Sequence, residues 1–341
     1  MRSVPALIAV ASAAACCTLS GPVYQGPKSD HFDGERFFNE GVREKDLGDL
    51  LRWQRTRTKG VWRPLRDEPP GAPPPRRVGL GELRVTFIGH ATTLIQVDGL
   101  NVLTDPIWSE RASPVSWAGP RRVRPPGIRF EDLPPIDVVL VSHDHYDHCD
   151  LATLRRIARA HPRAHFYVGL GNGKLLRAAH LRHVRELDWW QEIGLGAVTL
   201  SAAPAQHFSN RGLCDRSCTL FAGYVLRGPS GTTFFAGDTG YGPHFAQVSA
   251  RYGAVRLAIL PIGAYKPEWF MGAVHMSPAE AVRAHDDLRA GTSVAVHFGT
   301  FDLADDGEDE PPRELARAAG TRPFWVLGFG EGRAVPTGSA P

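Results

Sequence analysis

The sequence has few cysteines, little net charge and no long apolar run. Its 341 residues include five cysteines and carry a formal net charge of +3 at pH 7. A fold with so few cysteines does not depend on a disulfide framework, and a hydrophobic content of 43% is sufficient for a large core without one. The small net charge gives no indication of nucleic-acid binding, so we expect no nucleic-acid partner.

The apolar stretch at the N-terminus is short. Arg2 precedes the Ala-rich residues 4–15, which are too few to span a bilayer, since a spanning helix needs about 20 residues. Small residues before a cleavage point are typical of a secretory signal. Residues 13–16, Ala-Ala-Ala-Cys, also resemble a bacterial lipobox, although Ala13 stands where Leu is usual. We therefore predict a signal peptide over residues 1–17, export to the cell envelope or periplasm, and Cys16 as a candidate lipid anchor.

The remaining cysteines leave alternatives open. Cys149 follows a histidine-rich segment directly, and it is either a metal ligand or a small apolar residue at the start of a helix. Cys214 and Cys218 are four residues apart and would form a small disulfide loop in an oxidising compartment or stay reduced elsewhere. No further Cys or His pair lies near them, which disfavours a separate zinc site.

Residues 18–79 are predicted to form an extended N-terminal arm that wraps the surface. Aromatic and charged residues alternate there, and prolines cluster at 69–70 and 73–75. From residue 80 onward the pattern changes to short β-like runs separated by Gly and Asp, which predicts a β-meander. Its strands are predicted at 83–88, 93–97 and 100–104.

Further along, predicted strands alternate with predicted helices. Asp150 is expected to cap a helix over 151–160, followed by a strand at 166–168. Ser277-Pro278-Ala279-Glu280 has the pattern of a capping box with Pro at the first helical position and opens a helix to about residue 288. Additional strands are predicted at 198–202, 221–226, 233–236, 257–260 and 293–298. No internal repeat is visible, and the two successive halves indicate an α/β sandwich with two sheets inside and helices outside.

The segment His143-Asp144-His145-Tyr146-Asp147-His148 places three imidazoles and two carboxylates directly after the apolar run 136–141. Zinc accepts both imidazole and carboxylate ligands, at about 2.0–2.2 Å. Protonated histidines so close together would repel one another, and neutral ones would gain nothing from clustering. The segment therefore indicates a metal site at the end of a strand, in preference to a solvated polar loop.

Three more potential ligands stand where predicted strands end. His207 follows the run 198–204, Asp238 follows 233–237, and His297 lies within 293–300. Taken singly, they could be a loop histidine, a turn residue before a glycine and a core histidine. Together with the central segment they form an ordered set of metal ligands.

The order His-Xaa-His-Xaa-Asp-His, His, Asp in Gly-Asp-Thr-Gly, and His resembles the metallo-β-lactamase superfamily of binuclear metal hydrolases. The likeness is closer to its branch of N-acyl-phosphatidylethanolamine-hydrolysing phospholipases D and extends over about residues 50–330. The segments that carry it are Gly89-His90-Ala91-Thr92, Leu103-Thr104-Asp105-Pro106-Ile107, Leu133-Pro134-Pro135-Ile136-Asp137, Glu186-Leu187-Asp188-Trp189-Trp190, Pro261-Ile262-Gly263-Ala264-Tyr265, Trp269-Phe270-Met271 and His297-Phe298-Gly299-Thr300-Phe301.

The resemblance implies a metallo-β-lactamase αββα sandwich, with two mixed sheets flanked by helices, over residues 80–335. It also implies two Zn²⁺ per chain. The implied ligands are His143, His145 and His207 for the first ion, Asp147, His148 and His297 for the second, and Asp238 as the bridge. Two such ions lower the pKa of a shared water and generate a hydroxide that can attack phosphorus.

Other positions match the family pattern with less definite roles. Tyr146 and His275 are candidates to contact a phosphate or assist the leaving group, and we count them with Asp147 as catalytic candidates. Asp105 is either an outer acceptor for a ligating histidine or a turn residue before Pro106. Asp144 replaces the Asn found in the animal lipid hydrolases, and as a spacer it should not disturb metal binding. The loop 208–217 also departs from the family pattern.

The leading hypothesis is a zinc phosphodiesterase that releases N-acylethanolamine and phosphatidic acid from N-acyl-phosphatidylethanolamine at a membrane surface. Apolar contacts to such a lipid are expected from Trp108, Trp117, Trp269, Phe270 and Met271. The alternatives are a lactonase, a hydrolase of another phosphodiester, and a non-catalytic metal-binding surface lipoprotein. Mn or Fe could occupy the same ligands as zinc, and the sequence predicts no particular oligomeric state.

Overall fold

Two seven-stranded β-sheets form the body of the protein in a computed structural model that describes residues 21–337. The predicted signal peptide and Cys16 lie outside the described residues. The first sheet has the strand order β14-β1-β2-β3-β4-β5-β6. Its strands are β1 (Leu83–Gly89), β2 (Thr92–Val97), β3 (Leu100–Thr104), β4 (Val138–Val141), β5 (His165–Gly169), β6 (Val184–Leu187) and β14 (Gly332–Ala334).

The second sheet has the order β13-β12-β11-β10-β9-β8-β7. Its strands are β7 (Glu192–Leu195), β8 (Val198–Ala203), β9 (Gly223–Gly228), β10 (Gly231–Phe235), β11 (Leu257–Pro261), β12 (Thr292–Val296) and β13 (Phe324–Trp325). Both sheets are mixed, because antiparallel hairpins at one side continue into parallel strands at the other. This arrangement confirms the predicted fold class of two mixed sheets with helices.

Seven α-helices connect or flank these strands in the described part of the chain. They are α1 (Leu47–Thr56), α2 (Leu151–Ala160), α3 (Asn172–Ala178), α4 (His244–Tyr252), α5 (Glu268–Met271), α6 (Pro278–Asp287) and α7 (Glu310–Ala319), with a 3₁₀ turn at Phe130–Asp132. Within residues 21–337, no helix combines the length and the apolar character needed to cross a membrane.

The layering follows from the alternation of side chains along buried strands. In β4, Val138 and Leu140 join the core between the two sheets, whereas Val139 and Val141 join a second core on the opposite face. Leu154 of α2 packs into that second core. All four residues of β4 are buried because apolar layers cover both faces of the parallel part of the sheet.

The N-terminal arm packs against both halves of the protein, with hydrogen bonds to Gln96 and Val123 as well as to Asp305, and is more ordered than the sequence indicates. Phe32 and Phe37, both 1% exposed, form an isolated β-bridge and pack with Leu220 and Phe221. The Trp53 indole donates a hydrogen bond to Asp305 at 2.6 Å. Helix α1 is an addition to the predicted extended arm. It has a capping box at Asp46, and Leu47, Leu50 and Leu51 stand at helical spacing, although none of its residues is buried.

The structure confirms the predicted meander, the helix capped by Asp150 and the capping box at Ser277. Two predicted strands extend two residues too far at one end. The strand predicted from 221 begins at Gly223, because Phe221 is drawn into the cluster with the arm. The strand predicted to 298 ends at Val296, because His297 has a φ of +61°, outside the β region.

The cysteines also have definite places in the structure. Cys149 is a buried free thiol in the second core, which agrees with the apolar alternative. Burial raises the pKa of its thiol to about 12, so the thiolate that metals bind is disfavoured. Cys218 is also buried and free, so no disulfide joins it to Cys214.

Candidate metal centre

The candidate ligands lie where strands of both sheets end. The segment 143–148 follows β4, and His207 follows β8. Asp238 follows β10, and His297 follows β12 directly. Because the two sheets pack face to face, these ends bring the side chains together at one edge of the sandwich, as the sequence predicted.

Three histidine nitrogens form the first group of donors. His143 Nε2 lies 2.7 Å from His145 Nδ1, which lies 3.3 Å from His207 Nε2. The opposite ring nitrogens have their own acceptors: His207 Nδ1 donates to the Val274 carbonyl at 2.9 Å, and His143 Nδ1 to Ser142 Oγ at 2.8 Å. These outer hydrogen bonds leave the Nε2 lone pairs of both residues directed at a shared point.

The second group combines two carboxylates and two imidazoles. Asp238 Oδ2 lies 3.1 Å from both His148 Nε2 and His297 Nε2, and 3.8 Å from His207 Nε2 of the first group. Asp147 Oδ2 lies 3.2 Å from His148 Nε2 and 3.4 Å from His297 Nε2. Asp238 thus stands between the two groups, where the resemblance expects a bridging ligand.

Asp105 serves as the outer acceptor for a candidate ligand, which settles the alternative left open by the sequence. Its Oδ2 accepts from His148 Nδ1 at 2.7 Å and from Ser142 Oγ at 2.6 Å. Ser142 Oγ in turn accepts from His143. One fully buried carboxylate therefore orients an imidazole in each group, directly for His148 and through Ser142 for His143.

The donor set fits metal ions better than it fits a hydrogen-bond network. His148 Nε2, His297 Nε2 and Asp238 Oδ1 are buried and make no hydrogen bond of acceptable geometry. Buried polar atoms without partners are costly, and several that converge on one place indicate a cation-binding site. The nitrogen and oxygen donors match the preferences of zinc and similar divalent metals.

Burial and charge give the two groups different proton affinities. Burial lowers the pKa of His145 to about 4 and the pKa values of His143 and His207 well below the ordinary histidine value. At His148 and His297 burial acts in the same direction, but the carboxylates of Asp238 and Asp147 outweigh it and raise the pKa, at His297 to about 9. The first group is therefore neutral and able to bind metal at pH 7, whereas the second must release protons to do so.

The two further catalytic candidates lie in different places. His275 is buried beside the first group, with its ring 5.0 Å from that of His207 and its Nδ1 3.9 Å from Asp238 Oδ2. Tyr146 points elsewhere: its hydroxyl donates to the Arg211 carbonyl at 3.0 Å, and it lines a separate depression. The structure brings His275 to the candidate centre but does not bring Tyr146 there.

The loop 208–217 is attached to the central segment. Asp144 Oδ1 accepts from the Asn210 amide at 2.7 Å, and the Arg211 guanidinium donates to the carbonyls of Asp144 and Cys149 at 2.7 and 3.0 Å. Arg211 also stacks on the Tyr146 ring at 3.9 Å. Asp144 is therefore a structural acceptor rather than an idle spacer, and Arg211 clamps the segment that carries four candidate ligands.

His90 belongs to the site although the sequence reasoning did not assign it. Its Nε2 lies 2.8 Å from Asp147 Oδ2, and it forms a group of potential ligand atoms with Asp147, His148 and His297. A single histidine in a turn between two strands has no ligand spacing to reveal it. Its presence in a segment that resembles the family was the only available signal.

A cavity of about 720 Å³ leads away from the candidate centre. His207 and His275 lie on its wall, and apolar side chains from the arm, α1 and α5 form much of the rest. These apolar residues include Phe37, Leu47, Leu50, Trp53, Phe270 and Met271. Among the aromatic residues expected to contact a lipid, Phe270 lines this cavity, whereas Trp108, Trp117 and Trp269 do not line it, and Trp117 is 79% exposed.

Two mixed sheets with this set of donors at their shared edge define a metal-dependent hydrolase of the metallo-β-lactamase fold. The chain belongs to this superfamily, since the family model described as the Beta-lactamase superfamily domain matches residues 100–298. A solved structure of isothiocyanate hydrolase from Delia radicum gut bacteria has the same fold, with a TM-score of 0.60 at 23% identity over 73% of this chain and 98% of that chain.

Curated relatives support the particular branch that the sequence motifs indicated. N-acyl-phosphatidylethanolamine-hydrolyzing phospholipase D 1 of Caenorhabditis elegans is 39% identical over 231 residues, which are 65% of each chain. An uncharacterized protein of Mycobacterium tuberculosis is 42% identical over 275 residues, 79% of this chain and 73% of that protein. The expected likeness to the phospholipase D branch is thereby confirmed.

Proposed function

We propose that this protein is a binuclear zinc phosphodiesterase that cleaves N-acyl-phosphatidylethanolamine to N-acylethanolamine and phosphatidic acid. One observation carries the proposal: His207 and His275 lie on the wall of a largely apolar cavity of about 720 Å³. A small soluble phosphodiester would not need such a cavity, whereas a phospholipid has acyl chains to place there. The likeness to the worm phospholipase supports the same substrate class.

Zinc is the proposed metal because the donors are five imidazoles and two carboxylates, a set that zinc accepts and that Mg²⁺ or Ca²⁺ disfavours. Three nitrogens, from His143, His145 and His207, would hold the first ion, and Asp147, His148 and His297 would hold the second. Two ions held here would supply an acidified water and positive charge for phosphoryl oxygens. Asp238 would hold both ions in a fixed relation from its place between the groups.

His275 is proposed to orient the phosphate. Burial lowers its pKa to about 4, so its ring is neutral at pH 7 and carries one N–H. Its buried Nδ1 has no hydrogen-bond partner within the described residues. A ring N–H at the border between the donors and the cavity can donate to a phosphoryl oxygen and set the scissile bond against the centre.

Mass spectrometry of the products tests the proposal. Zinc-loaded protein would be incubated with N-acyl-phosphatidylethanolamine in mixed micelles, beside the variants His143→Ala and His183→Ala. We expect N-acylethanolamine and phosphatidic acid from the wild type and from His183→Ala, whose histidine is exposed and away from the site. We expect neither product from His143→Ala.

The same assay separates the proposal from its rivals. If zinc-loaded wild type hydrolyses a lactone or a soluble phosphodiester but leaves the lipid intact, the fold and the metal centre stand and the substrate is wrong. If His143→Ala equals the wild type in metal content and in every activity, the protein is a metal-binding scaffold and not an enzyme of this kind.

We further propose that the enzyme is exported, anchored through Cys16, and works at a membrane surface. Leu47 and Leu51 of α1 are 70% and 48% exposed, and Leu47 also lines the cavity. We expect the double substitution Leu47→Glu/Leu51→Glu to reduce co-sedimentation with phosphatidylglycerol vesicles, whereas Leu80→Glu, at another exposed leucine, should not. An intact mass that begins at an unmodified Met1 in protein purified from its natural envelope would contradict the anchor.

A further inference from the structure

His90 has no role in the metal centre that the sequence motif implies, yet it touches that centre. We propose that His90 is a positioning residue of the second metal group, which donates from Nε2 to Asp147 and holds its carboxylate toward the ion. The proposal rests on the metal centre of the proposed function but not on its substrate. The distance of 2.8 Å from Nε2 to Asp147 Oδ2 is that of a charge-assisted hydrogen bond.

Three of the other candidate ligands each have an outer hydrogen-bond partner, and Asp147 needs one as well. His148 has Asp105 as its outer partner, His207 has the Val274 carbonyl, and His143 has Ser142. Asp147 is also near His148 Nε2 and His297 Nε2, but these atoms carry no proton once their lone pairs bind a metal. His90 is then the donor that remains for Asp147 among the described side chains, and a ligating carboxylate is normally held by such a donor.

The contact of His90 with Asp147 differs in geometry from the contacts of the proposed ligands. His90 Nε2 has hydrogen-bond geometry toward Asp147 Oδ2. The Nε2 atoms of His148 and His297 lie 3.2 and 3.4 Å from the same oxygen and make no hydrogen bond of acceptable geometry. This difference favours His90 as a donor to Asp147 and leaves the other two nitrogens as ligand atoms.

The backbone holds the His90 ring in place at some conformational cost. His90 has a φ of +55°, which is unfavourable for a residue with a Cβ. Its amide donates to Thr300 Oγ1 at 3.0 Å, and its carbonyl accepts from the His297 amide at 2.8 Å. The ring meets the edge of Phe301, with the ring centroids 5.1 Å apart. A strained backbone with such support is typical of functional positions.

Zinc affinity tests this role without any substrate. Full-length protein would be titrated with zinc against a chromogenic chelator to obtain two stepwise affinities for the wild type, His90→Leu and His90→Gln. We expect His90→Leu to weaken one of the two affinities by about 10- to 100-fold and to leave the other nearly unchanged. His90→Gln keeps an N–H near the position of Nε2 and should recover most of the loss.

A matched variant distinguishes positioning from general loss of structure. His285 is also buried and hydrogen-bonded, to Ser293 Oγ, but lies on α6 away from the centre. His285→Leu should lower thermal stability and leave both zinc affinities intact. Unchanged affinities in His90→Leu would overturn the proposal. The proposal would also be overturned if His90→Gln lost as much zinc affinity as His90→Leu and X-ray absorption counted one histidine fewer per two zinc ions than in the wild type. His90 would then be a ligand. A wild type that binds no zinc would overturn the metal centre itself.

Discussion

Asp105 is the residue on which the order of the candidate centre depends most. It is fully buried, has a φ of +34° and accepts hydrogen bonds from His148 Nδ1, Ser142 Oγ and the Ser142 amide. Through Ser142 it also fixes the ring of His143. A change at this single side chain should therefore affect both groups of donors, although Asp105 itself is no ligand.

We predict that Asp105→Asn weakens zinc binding by about 10- to 100-fold, because an amide cannot accept from every donor that the carboxylate serves. Competition with a chromogenic chelator measures the loss. Asp98→Asn is the control, since Asp98 is a buried carboxylate that binds Gly81 and Ser230 in a distant turn. It should reduce stability and keep zinc affinity. Equal zinc affinity in both variants would refute the role of Asp105.

At the level of residues, the sequence could predict which ligands of the motif lie at the candidate centre. It could not predict the place of a side chain that depends on its rotamer or on a tertiary contact. The seven candidate ligands were named from the central motif, from strand ends and from the resemblance to the superfamily, and the structure brings them together. His90 was missed because its link to Asp147 spans 57 positions in the chain and has no local pattern. Tyr146 was expected at the centre, but its place inside the motif does not determine where its ring points.

Helix α6 fixes the segment that follows His275. Ser277 caps it, with reciprocal hydrogen bonds between Ser277 and Glu280, and Pro278 stands at the first helical position. We predict that Ser277→Ala lowers the free energy of unfolding by about 1 kcal/mol, because the helix loses an N-cap acceptor. Urea denaturation measures this change.

The second capping box in the protein provides the comparison. Asp46 caps α1 in the same way, but α1 buries no residue. Asp46→Ala should therefore fray α1 and leave global unfolding nearly unchanged. If Ser277→Ala proved as mild as Asp46→Ala, the cap of α6 would contribute little to the folded state.

At the level of elements, the meander and the helices capped by Asp150 and Ser277 were predicted, whereas the capped helix α1 and the short edge strands were not. The meander and the helix at Ser277 follow from alternation and from cap chemistry. Strands β13 and β14 have only two and three residues and owe their β structure to pairing with β12 and β1. Such pairing joins distant parts of the chain and leaves no mark in a local window.

On the scale of the whole molecule, the arm must remain docked for the cavity to keep its shape, since Phe37 and α1 line it. His31 helps to dock it: its ring stacks on Trp189 with centroids 4.4 Å apart, and its Nε2 lies 2.8 Å from Asp188 Oδ1. Burial opposes the charged ring, but the hydrogen bonds to Asp188 and Asp30 outweigh burial and raise the pKa of His31.

This raised pKa predicts a pH-dependent contribution to stability. A raised folded-state pKa stabilises the protein fully below the ordinary value of 6.5, and the contribution is lost as the pH rises through the raised value. We expect His31→Phe, which keeps the ring stack, to lower Tm more at about pH 6 than at about pH 9. A constant or increasing Tm difference between those pH values would contradict the charged contact.

The fold class could be predicted because strands alternate with helices in two successive halves and because the ordered ligands resemble those of the metallo-β-lactamase superfamily. The docking of the arm could not, because its anchors, such as Phe32 and Trp53, act through distant partners. The arm nevertheless shapes the cavity on which the choice of a lipid substrate depends.

Hydrolysis of N-acyl-phosphatidylethanolamine in ¹⁸O-labelled water tests the central claim most directly, since it reports both the substrate and the bond that water attacks. We predict one ¹⁸O atom in the phosphatidic acid and none in the N-acylethanolamine, with no turnover by His143→Ala. Label in a released fatty acid, or in the alcohol product, would place the attack at carbon and contradict a phosphodiesterase of the phospholipase D type.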